Sequence, residues 1–243
     1  RRNHFISINI NKNTCSAVCK CDSNYAGEYC SLSIDEFLSQ KSLREDILTT
    51  LDSISNEDEP TESNVGSWIS SLNSLTSVPI ELSEVSCDTA LSVTTTILDV
   101  VNSNEISLSD EVISNIIDSL DSISSSSVFT SSLSSSSRRR LNNLQSSFSS
   151  MLVSTTSLQT QNLVYGQESV DNIKNNFRTK TQIASSNAII SIPQSSVEYA
   201  TNKVTSQVFV KNSNPSKLML SSVKSSLYQN SKNYTSNTVR IDF

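Results

Sequence analysis

The sequence contains few of the residues from which phosphate loops, metal centres and catalytic triads are built. Its 243 residues include 3 Gly, 4 Pro, 5 Cys, 1 Trp and 1 His. So little glycine excludes Gly-rich phosphate loops and collagen-like segments, and no Walker or Gly-x-Gly-x-x-Gly motif is present. The only histidine, His4, lies beside the N-terminus, and no Gly-x-Ser-x-Gly nucleophile elbow accompanies it. We therefore expect no enzyme activity, no catalytic residue and no cofactor.

Positive charge and long apolar runs are also scarce. The formal net charge is -6, and charged residues make up 17% of the chain. Binding to nucleic acid or to an anionic membrane surface requires clustered Lys and Arg, so neither partner is expected. No run approaches the roughly 18 apolar residues of a membrane span. The chain begins RRNHFISINI without a signal peptide, so a secreted form would be a processed product or a fragment of a longer polypeptide.

Serine is what the chain has in abundance, with 55 copies. The length allows one large domain or two modest ones. One N-glycosylation sequon is present, Asn233-Tyr234-Thr235, and we expect Asn233 to carry a glycan if the protein is secreted.

Four of the five cysteines are close together, in the pattern Cys15-x3-Cys19-x-Cys21-x8-Cys30. A zinc site needs four ligands, usually in pairs with two-residue spacers, and the chain lacks this arrangement. A redox motif of the Cys-x-x-Cys type is also missing. The pattern favours disulfides in an oxidising compartment and predicts no metal site.

The segment CKCDSNYAGEYC resembles the C-terminal half of an EGF-like module. Such modules have a Cys-x-Cys pair, then an aromatic residue and a glycine, then a final cysteine. Tyr25 and Gly27 occupy the expected places, and Asn24 replaces a common glycine. The resemblance implies a partial module over residues 1–32. The acidic signature of calcium-binding modules is not in this stretch, so no calcium site is predicted.

The same resemblance implies the disulfide pairing. Cys21 would pair with Cys30, and Cys15 and Cys19 would pair with the first two cysteines of the module. Those two cysteines are not in this sequence. Either the sequence begins inside a larger protein, or Cys15 and Cys19 have other partners.

Four segments after residue 33 have apolar residues at helical spacing. Ser33 and Glu36 are spaced as a capping box at the first of them. Short connections between the segments predict an antiparallel bundle or an array of hairpins. The predicted apolar stripes are Ile34, Phe37, Leu38, Ile47, Leu48, Leu51 and Ile54; Val65, Trp68, Ile69, Leu72 and Leu75; Cys87, Ala90, Leu91, Ile97, Leu98 and Val101; and Ile113, Ile116, Ile117, Leu120 and Ile123.

Cys87, the fifth cysteine, lies on the third of these stripes. It is either a buried free thiol that packs as a small hydrophobe or a thiol that bonds to another chain.

Residues 124–137 have low complexity, which predicts a Ser-rich mobile loop that could carry O-linked sugar. Arg138, Arg139 and Arg140 follow it. They form either a processing site or the solvated first turn of a fifth helix. The apolar positions of that helix would be Leu141, Leu144, Phe148, Met151 and Leu152.

After about residue 160 the pattern changes to short, β-branched runs bounded by turn residues. These runs are NLVYGQESVDNI, NAIISIPQSS, KVTSQVFVK and SKLMLSSVKSSLY. We predict an antiparallel sheet or sandwich over residues 161–243, after a helical subdomain over residues 33–160. The fold class is therefore α+β, with the cysteine module, the helices and the strands in that order.

Residues 46–101 resemble the helical part of a GAIN-type domain, which occurs in adhesion receptors, in polycystins and in large extracellular protist proteins. The shared features are a helix that ends LNSLT at Thr76 and a link PIELS that ends at Ser83. The segments LVYGQESVDNIKNNF and IISIPQSS resemble the opening strands of the β part that follows. Self-cleaving members break at His-Leu-Ser/Thr, so with His4 alone this machinery is absent or lies beyond Phe243.

EGF-like modules followed by such a region resemble the large surface proteins of flagellate protists, among them flagellar-hair (mastigoneme) proteins. We therefore predict a non-enzymatic extracellular structural or assembly protein of a cell-surface or flagellar filament. Its partners would be like chains or related surface proteins. The alternative is an ectodomain fragment of an adhesion or mechanosensory receptor of the polycystin or adhesion-receptor kind.

Overall fold

The computed structural model of the chain describes residues 5–11, 14–130, 135–184, 188–194, 199–200, 207–210, 216–223 and 238–242. Near the N-terminus, β1 (Phe5–Asn11) pairs with β2 (Thr14–Lys20), and β3 (Tyr25–Ala26) pairs with β4 (Leu32–Ser33). The helices follow as α1 (Ile34–Glu57), α2 (Glu62–Thr76), α3 (Glu84–Ser103), α4 (Asp110–Ser125), α5 (Ser127–Thr130) and α6 (Ser135–Asn162). A 3-10 turn, Pro79–Glu81, connects α2 to α3.

The second, third and fourth apolar stripes form one hydrophobic core, as predicted. Trp68 and Leu72 of α2, Cys87 of α3, and Ile113 and Ile117 of α4 are all buried in it. Each of these helices begins at a Ser or Thr N-cap whose hydroxyl accepts a hydrogen bond from a backbone N–H of the first turn. The periodicity of the apolar residues therefore placed these helices correctly.

The predicted stripe of α1 is only partly buried. Leu48 and Leu51 are in the core, but Ile34, Leu38, Ile47 and Ile54 are exposed. With 3.6 residues per turn, Leu48 and Leu51 face the side of α1 that packs against α2 and α3, and the mean direction of Ile47 and Ile54 lies about 80° around the helix from theirs. The helix itself is confirmed, and the prediction that all seven residues share one buried face is wrong.

The Ser-rich loop predicted over residues 124–137 is largely helical where the structure describes it. α4 continues to Ser125, α5 covers Ser127–Thr130, and α6 has already begun at Ser135. Phe129 explains the difference, because its buried ring lies 6.2 Å from that of Phe148. The packing of Phe129 therefore orders a segment whose Ser-rich composition alone predicts little burial.

The C-terminal strands are β5 (Val170–Ile173), β6 (Phe177–Ala184), β7 (Ala188–Ser191), β8 (Gln207–Val210), β9 (Ser216–Val223) and β10 (Thr238–Asp242). The four-stranded sheet has the order β10-β9-β6-β5, and β7 pairs separately with β8. All described pairings are antiparallel. The four predicted runs contain β5, β7, β8 and β9, whereas β6, in the interior of the sheet, and β10, at its edge, lie outside them.

The two faces of the sheet have different surroundings. Phe177 and Val223 face the helices and belong to the helical core. Leu218 and Leu220 belong to a second, smaller cluster with Ile190 of β7. Thr179, Thr181 and Ser221 place buried hydroxyls on the helix-facing side, and Met219 also lies on it by register. The sheet is thus joined to the helices through a few apolar residues set among buried hydroxyls.

Thr155 of α6 lies fully buried near this interface, and its hydroxyl has no hydrogen-bond partner among the described residues. An unsatisfied buried hydroxyl is costly, and valine has nearly the same shape. We therefore expect Thr155→Val to raise the free energy of unfolding by about 1 kcal/mol, measured by urea denaturation. Thr156→Val is the matched control. The hydroxyl of Thr156 donates to the carbonyl of Leu152 at 2.7 Å, so this change should not stabilise. Equal effects of the two variants would contradict the prediction.

Candidate functional site

The cysteine module is closed by one disulfide in the part of the chain that the structure describes. Cys21 and Cys30 are bonded, with Cα atoms 5.2 Å apart, and they are the pair that the EGF-like spacing implies. Gly27 forms the turn between them with φ of +89° and accepts a hydrogen bond from the N–H of Cys30. Residues that carry a side chain rarely adopt this backbone conformation, so the turn needs glycine.

The module leads directly into the helical bundle. Ser33 is both the last residue of β4 and the N-cap of α1. The backbone N–H of Ser33 donates to Glu36 Oε2 at 2.8 Å, and Ser33 Oγ accepts from the backbone N–H of Glu36 at 3.2 Å. Two hydrogen bonds from Ser33 lower the pKa of the Glu36 carboxyl. The bond from the backbone N–H of Ser33 has the larger effect, and the bond from its side chain has the smaller one. β4 therefore passes directly into α1, and the predicted capping box forms at this junction.

Two adjacent charged residues of α1 hold the connection between α2 and α3. Arg44 makes an ion pair with Glu81 at 2.5 Å and also donates to the backbone carbonyl of Leu75, at the end of α2. The hydroxyl of Ser83, the N-cap of α3, donates to Glu45 Oε2 at 2.6 Å. Both contacts involve the link PIELS and the residues beside it. Arg44 and Glu45 therefore set the angle at which three helices meet, and the sequence reasoning missed them.

Cys87 is a free thiol with no exposed surface. Its sulfur lies 3.4 Å from Ser126 Oγ, and burial raises the pKa of the thiol to about 11. The thiol is therefore protonated and unreactive at neutral pH. The buried position agrees with the first of the two interpretations, and a bond to another chain would require the core to open.

For five other predicted site residues the structure describes the backbone but not the side chains. Cys15 and Cys19 lie in β2. Four residues along a strand span about 13 Å, which exceeds the roughly 7 Å limit between the Cα atoms of a disulfide, so these two cysteines do not pair with each other. Arg138, Arg139 and Arg140 lie in α6, in helical backbone. Cleavage at the arginines stays a prediction.

Two further residues lie outside the described residues altogether. These are Asn233, the predicted glycosylation site, and His4, the only histidine. Glycosylation at Asn233 stays a prediction.

A polar contact fixes the turn between β5 and β6 onto α4. Lys174 makes an ion pair with Asp118. The Asp121 carboxylate accepts from the backbone N–H of Asn175 at 3.1 Å, and Asn176 donates to the Ser124 and Ser125 hydroxyls. Burial raises the pKa of Asp121. This contact joins the helices to the sheet, and no motif in the sequence signals it.

The raised pKa of Asp121 predicts a pH dependence of stability. The folded protein takes up this proton before the unfolded chain does, so the resulting stabilisation is fully present below the unfolded pKa of about 3.9 and is lost as the pH rises through the folded pKa. Wild type should therefore gain stability over Asp121→Asn as the pH falls from 7 to 3.5. Urea midpoints of both proteins across this range measure the effect. A constant difference between the two curves would contradict it.

The described residues contain no group of three or more His, Cys, Asp or Glu side chains that could hold a metal ion. None of the helices described is both long enough and apolar enough to cross a membrane. An open groove of about 980 Å³ lies between α2 and α4. Ser and Thr hydroxyls dominate its walls, with no clustered acid, base and nucleophile.

No protein-family model matches the chain, and no curated protein matches it in sequence. Among solved structures, the full extracellular region of zebrafish Gpr126/Adgrg6 is similar to it with a TM-score of 0.48 and 12% identity. The match covers 75% of this chain and 26% of that chain, so this chain spans about a quarter of that receptor region. The EGF-like and GAIN-like resemblances stay hypotheses. What stands is a mixed helical and sheet fold with one described disulfide near the N-terminus.

Proposed function

We propose that this chain is a non-enzymatic, extracellular structural segment of a cell-surface filament. The observation that carries the proposal is the junction at Ser33, where the disulfide-closed module passes into α1 without a linker. A stiff junction fixes the distance and angle between successive modules, which a filament needs and a flexibly tethered module does not provide.

The contacts of Arg44 and Glu45 support the same proposal. They extend the stiff unit from α1 to α2 and α3, and the contact of Asp121 with the β5–β6 turn extends it to the sheet. A mechanical force applied to the cysteine module would therefore be transmitted to the helices and the sheet through hydrogen-bonded junctions. The disulfide supports an oxidising, extracellular location.

The finer form of the proposal is a flagellar-hair (mastigoneme-like) filament with like chains or related surface proteins as partners. It is motivated by the order of segments in the sequence, in which a half EGF-like module precedes a Ser-rich helical region. The competing function, an adhesion or mechanosensory receptor ectodomain, is an outcome of the test below.

Electron microscopy of the native protein, extracted from the cell surface with gentle salt and detergent, tests the proposal. We expect ordered filaments that survive detergent and that an antibody against this chain decorates along their length. Dispersed particles that partition with membrane would overturn the filament and support the receptor ectodomain. Decoration restricted to membrane-attached ends would also overturn the filament.

A further inference from the structure

Charge is distributed very unevenly along this chain. Residues 45–137 contain 16 Asp and Glu residues but no Lys, Arg or His. Residues 138–243 contain 12 Lys and Arg residues but only 4 Asp and Glu residues. Each molecule therefore has a strongly acidic part and a basic part. Two copies can attract each other if these parts are presented at different places on the surface.

Seven of the ten exposed acids of residues 45–137 lie at one end of the bundle, here called the acidic end. α1 ends and α2 begins there, since only residues 58–61 connect them. Thr61 and Ser109, the N-caps of α2 and α4, line one groove, so α4 begins there too. Lys217 also reaches this end, where it donates to the carbonyl of Gln161 at 2.8 Å. The exposed acids at this end are Glu57, Asp58, Glu59, Glu62, Glu105, Asp110 and Glu111.

The groove of about 980 Å³ lies at the acidic end, between the parallel helices α2 and α4. Glu62 and Glu111 line it, together with serine hydroxyls. Its inner limit is marked by Asn73 Nδ2, which donates to Asn115 Oδ1 at 3.0 Å. The groove is therefore a helix-lined surface with a carboxylate on each wall.

Gly66 lies in the interior of α2 and lines this groove. Glycine inside a helix is less stable than alanine. A Cβ built at Gly66 would meet no atom within 4 Å. Packing within the molecule therefore does not require glycine at this position, whereas the close approach of a partner in the groove would.

The arginine triplet (residues 138–140) lies at the other end of the bundle. It falls within the first two turns of α6. The last residue of α6, Asn162, reaches the acidic end, where its side chain donates to the carbonyl of Leu108 at 2.8 Å. At 1.5 Å rise per residue the triplet is roughly 35 Å away along the helix. A molecule therefore cannot fill its own groove with its own triplet.

We propose that the groove of one molecule receives the arginine triplet of a second copy in a head-to-tail contact. Arginine matches carboxylates with two parallel N–H···O bonds, so Glu62 and Glu111 fit as its partners. The absent side chain at Gly66 leaves room for the incoming helix turn. A head-to-tail contact that does not close on itself produces a filament. The inference rests on the proposed function and names the partner and the surface.

Sedimentation of the 243-residue chain tests the first consequence. Opposite charges attract strongly at low ionic strength and weakly once the Debye length falls to a few ångströms. We expect concentration-dependent association in 50 mM salt and a Kd at least about tenfold weaker in 500 mM salt. A chain that remains monomeric in 50 mM salt would overturn the inference.

Charge reversal tests which surfaces meet. The groove variant Glu62→Lys/Glu111→Lys places a lysine on each wall of the groove, and the triplet variant Arg138→Glu/Arg139→Glu/Arg140→Glu replaces the three arginines by glutamates. Each variant alone should associate at least about tenfold more weakly than wild type, because like charges now meet. A mixture of the two should associate again, since each has the charge that the other lacks.

Two controls separate the contact from general effects of charge or folding. Asp46→Lys/Asp88→Lys reverses two exposed acids outside the groove with the same change in net charge, and it should associate as wild type does. Gly66→Trp should block association while Gly66→Ala has a smaller effect, with thermal unfolding confirming that both fold. Equal behaviour of the groove and control pairs would overturn the inference. Native filaments seen alongside that result would leave the proposed function standing.

Discussion

Replacing Phe148 by alanine should lower the free energy of unfolding by about 4 kcal/mol. Phe148 has no exposed surface, and its ring lies 6.2 Å from that of Phe129 and 5.8 Å from that of Phe177, both edge-on. The change removes two aromatic contacts and leaves a cavity between α6, α5 and the sheet. Because Thr179, Thr181 and Ser221 place hydroxyls on the helix-facing side of the sheet, few other apolar contacts can compensate.

The location of Phe148 predicts more than a loss of stability. Hydrogen exchange should show weaker protection in both α6 and β6, since the ring joins the helical core to Phe177 of β6. Phe209→Ala is the matched control, because Phe209 is 60% exposed and its truncation should cost less than about 0.5 kcal/mol. Protection lost in the helices alone would show that Phe148 does not connect the two parts.

Replacing Arg44 by alanine should cost about 3 kcal/mol of stability. Glu81 is 7% exposed, and without Arg44 its carboxylate would remain in the core edge with no opposite charge. The Leu75 carbonyl at the end of α2 would lose a charged donor as well. Truncating one partner of a buried ion pair costs more than the pair contributes, because the remaining charge is uncompensated.

A double variant separates the stranded charge from lost packing. Glu81→Gln in the Arg44→Ala background removes the uncompensated carboxylate and should restore about 1 kcal/mol or more. Equilibrium urea unfolding of wild type, both single variants and the double variant provides the full cycle. If the double variant is no more stable than Arg44→Ala, the cost comes from packing of the arginine side chain and not from Glu81.

The helices were the most predictable part of this fold. Ser33 with Glu36, and the serines and threonine that cap α2, α3 and α4, are local signals that act over one turn. The sheet was less predictable. β6 has the sequence FRTKTQIA, in which Thr179 and Thr181 occupy buried positions that apolar residues usually fill. The burial of β6 depends on packing against α6 and β9, and the residue pattern of β6 alone does not encode that packing.

The candidate site was predictable where its chemistry is close in sequence. Cys21 and Cys30 are nine residues apart, and the EGF-like resemblance of this short stretch implies the pair. Arg44 and Glu81 are 37 residues apart. A signal for Arg44 did exist, since it lies four residues before Leu48 and therefore on the buried face of α1. A charged residue on that face needs a partner, but the sequence does not say which of its many acids provides it.

The sequence by itself determined the positions of the first four helices, the cysteine-rich N-terminus, the lack of catalytic motifs and the segregation of charge, because each depends on residues within a few turns or on composition. Only the tertiary structure decided which side of α1 is buried, that a polar strand lies at the centre of the sheet, and that Arg44 meets Glu81. It also placed the groove and the arginine triplet at opposite ends of the bundle. The physical reason is that periodicity defines which residues share a face, whereas burial and pairing depend on what distant segments bring to that face.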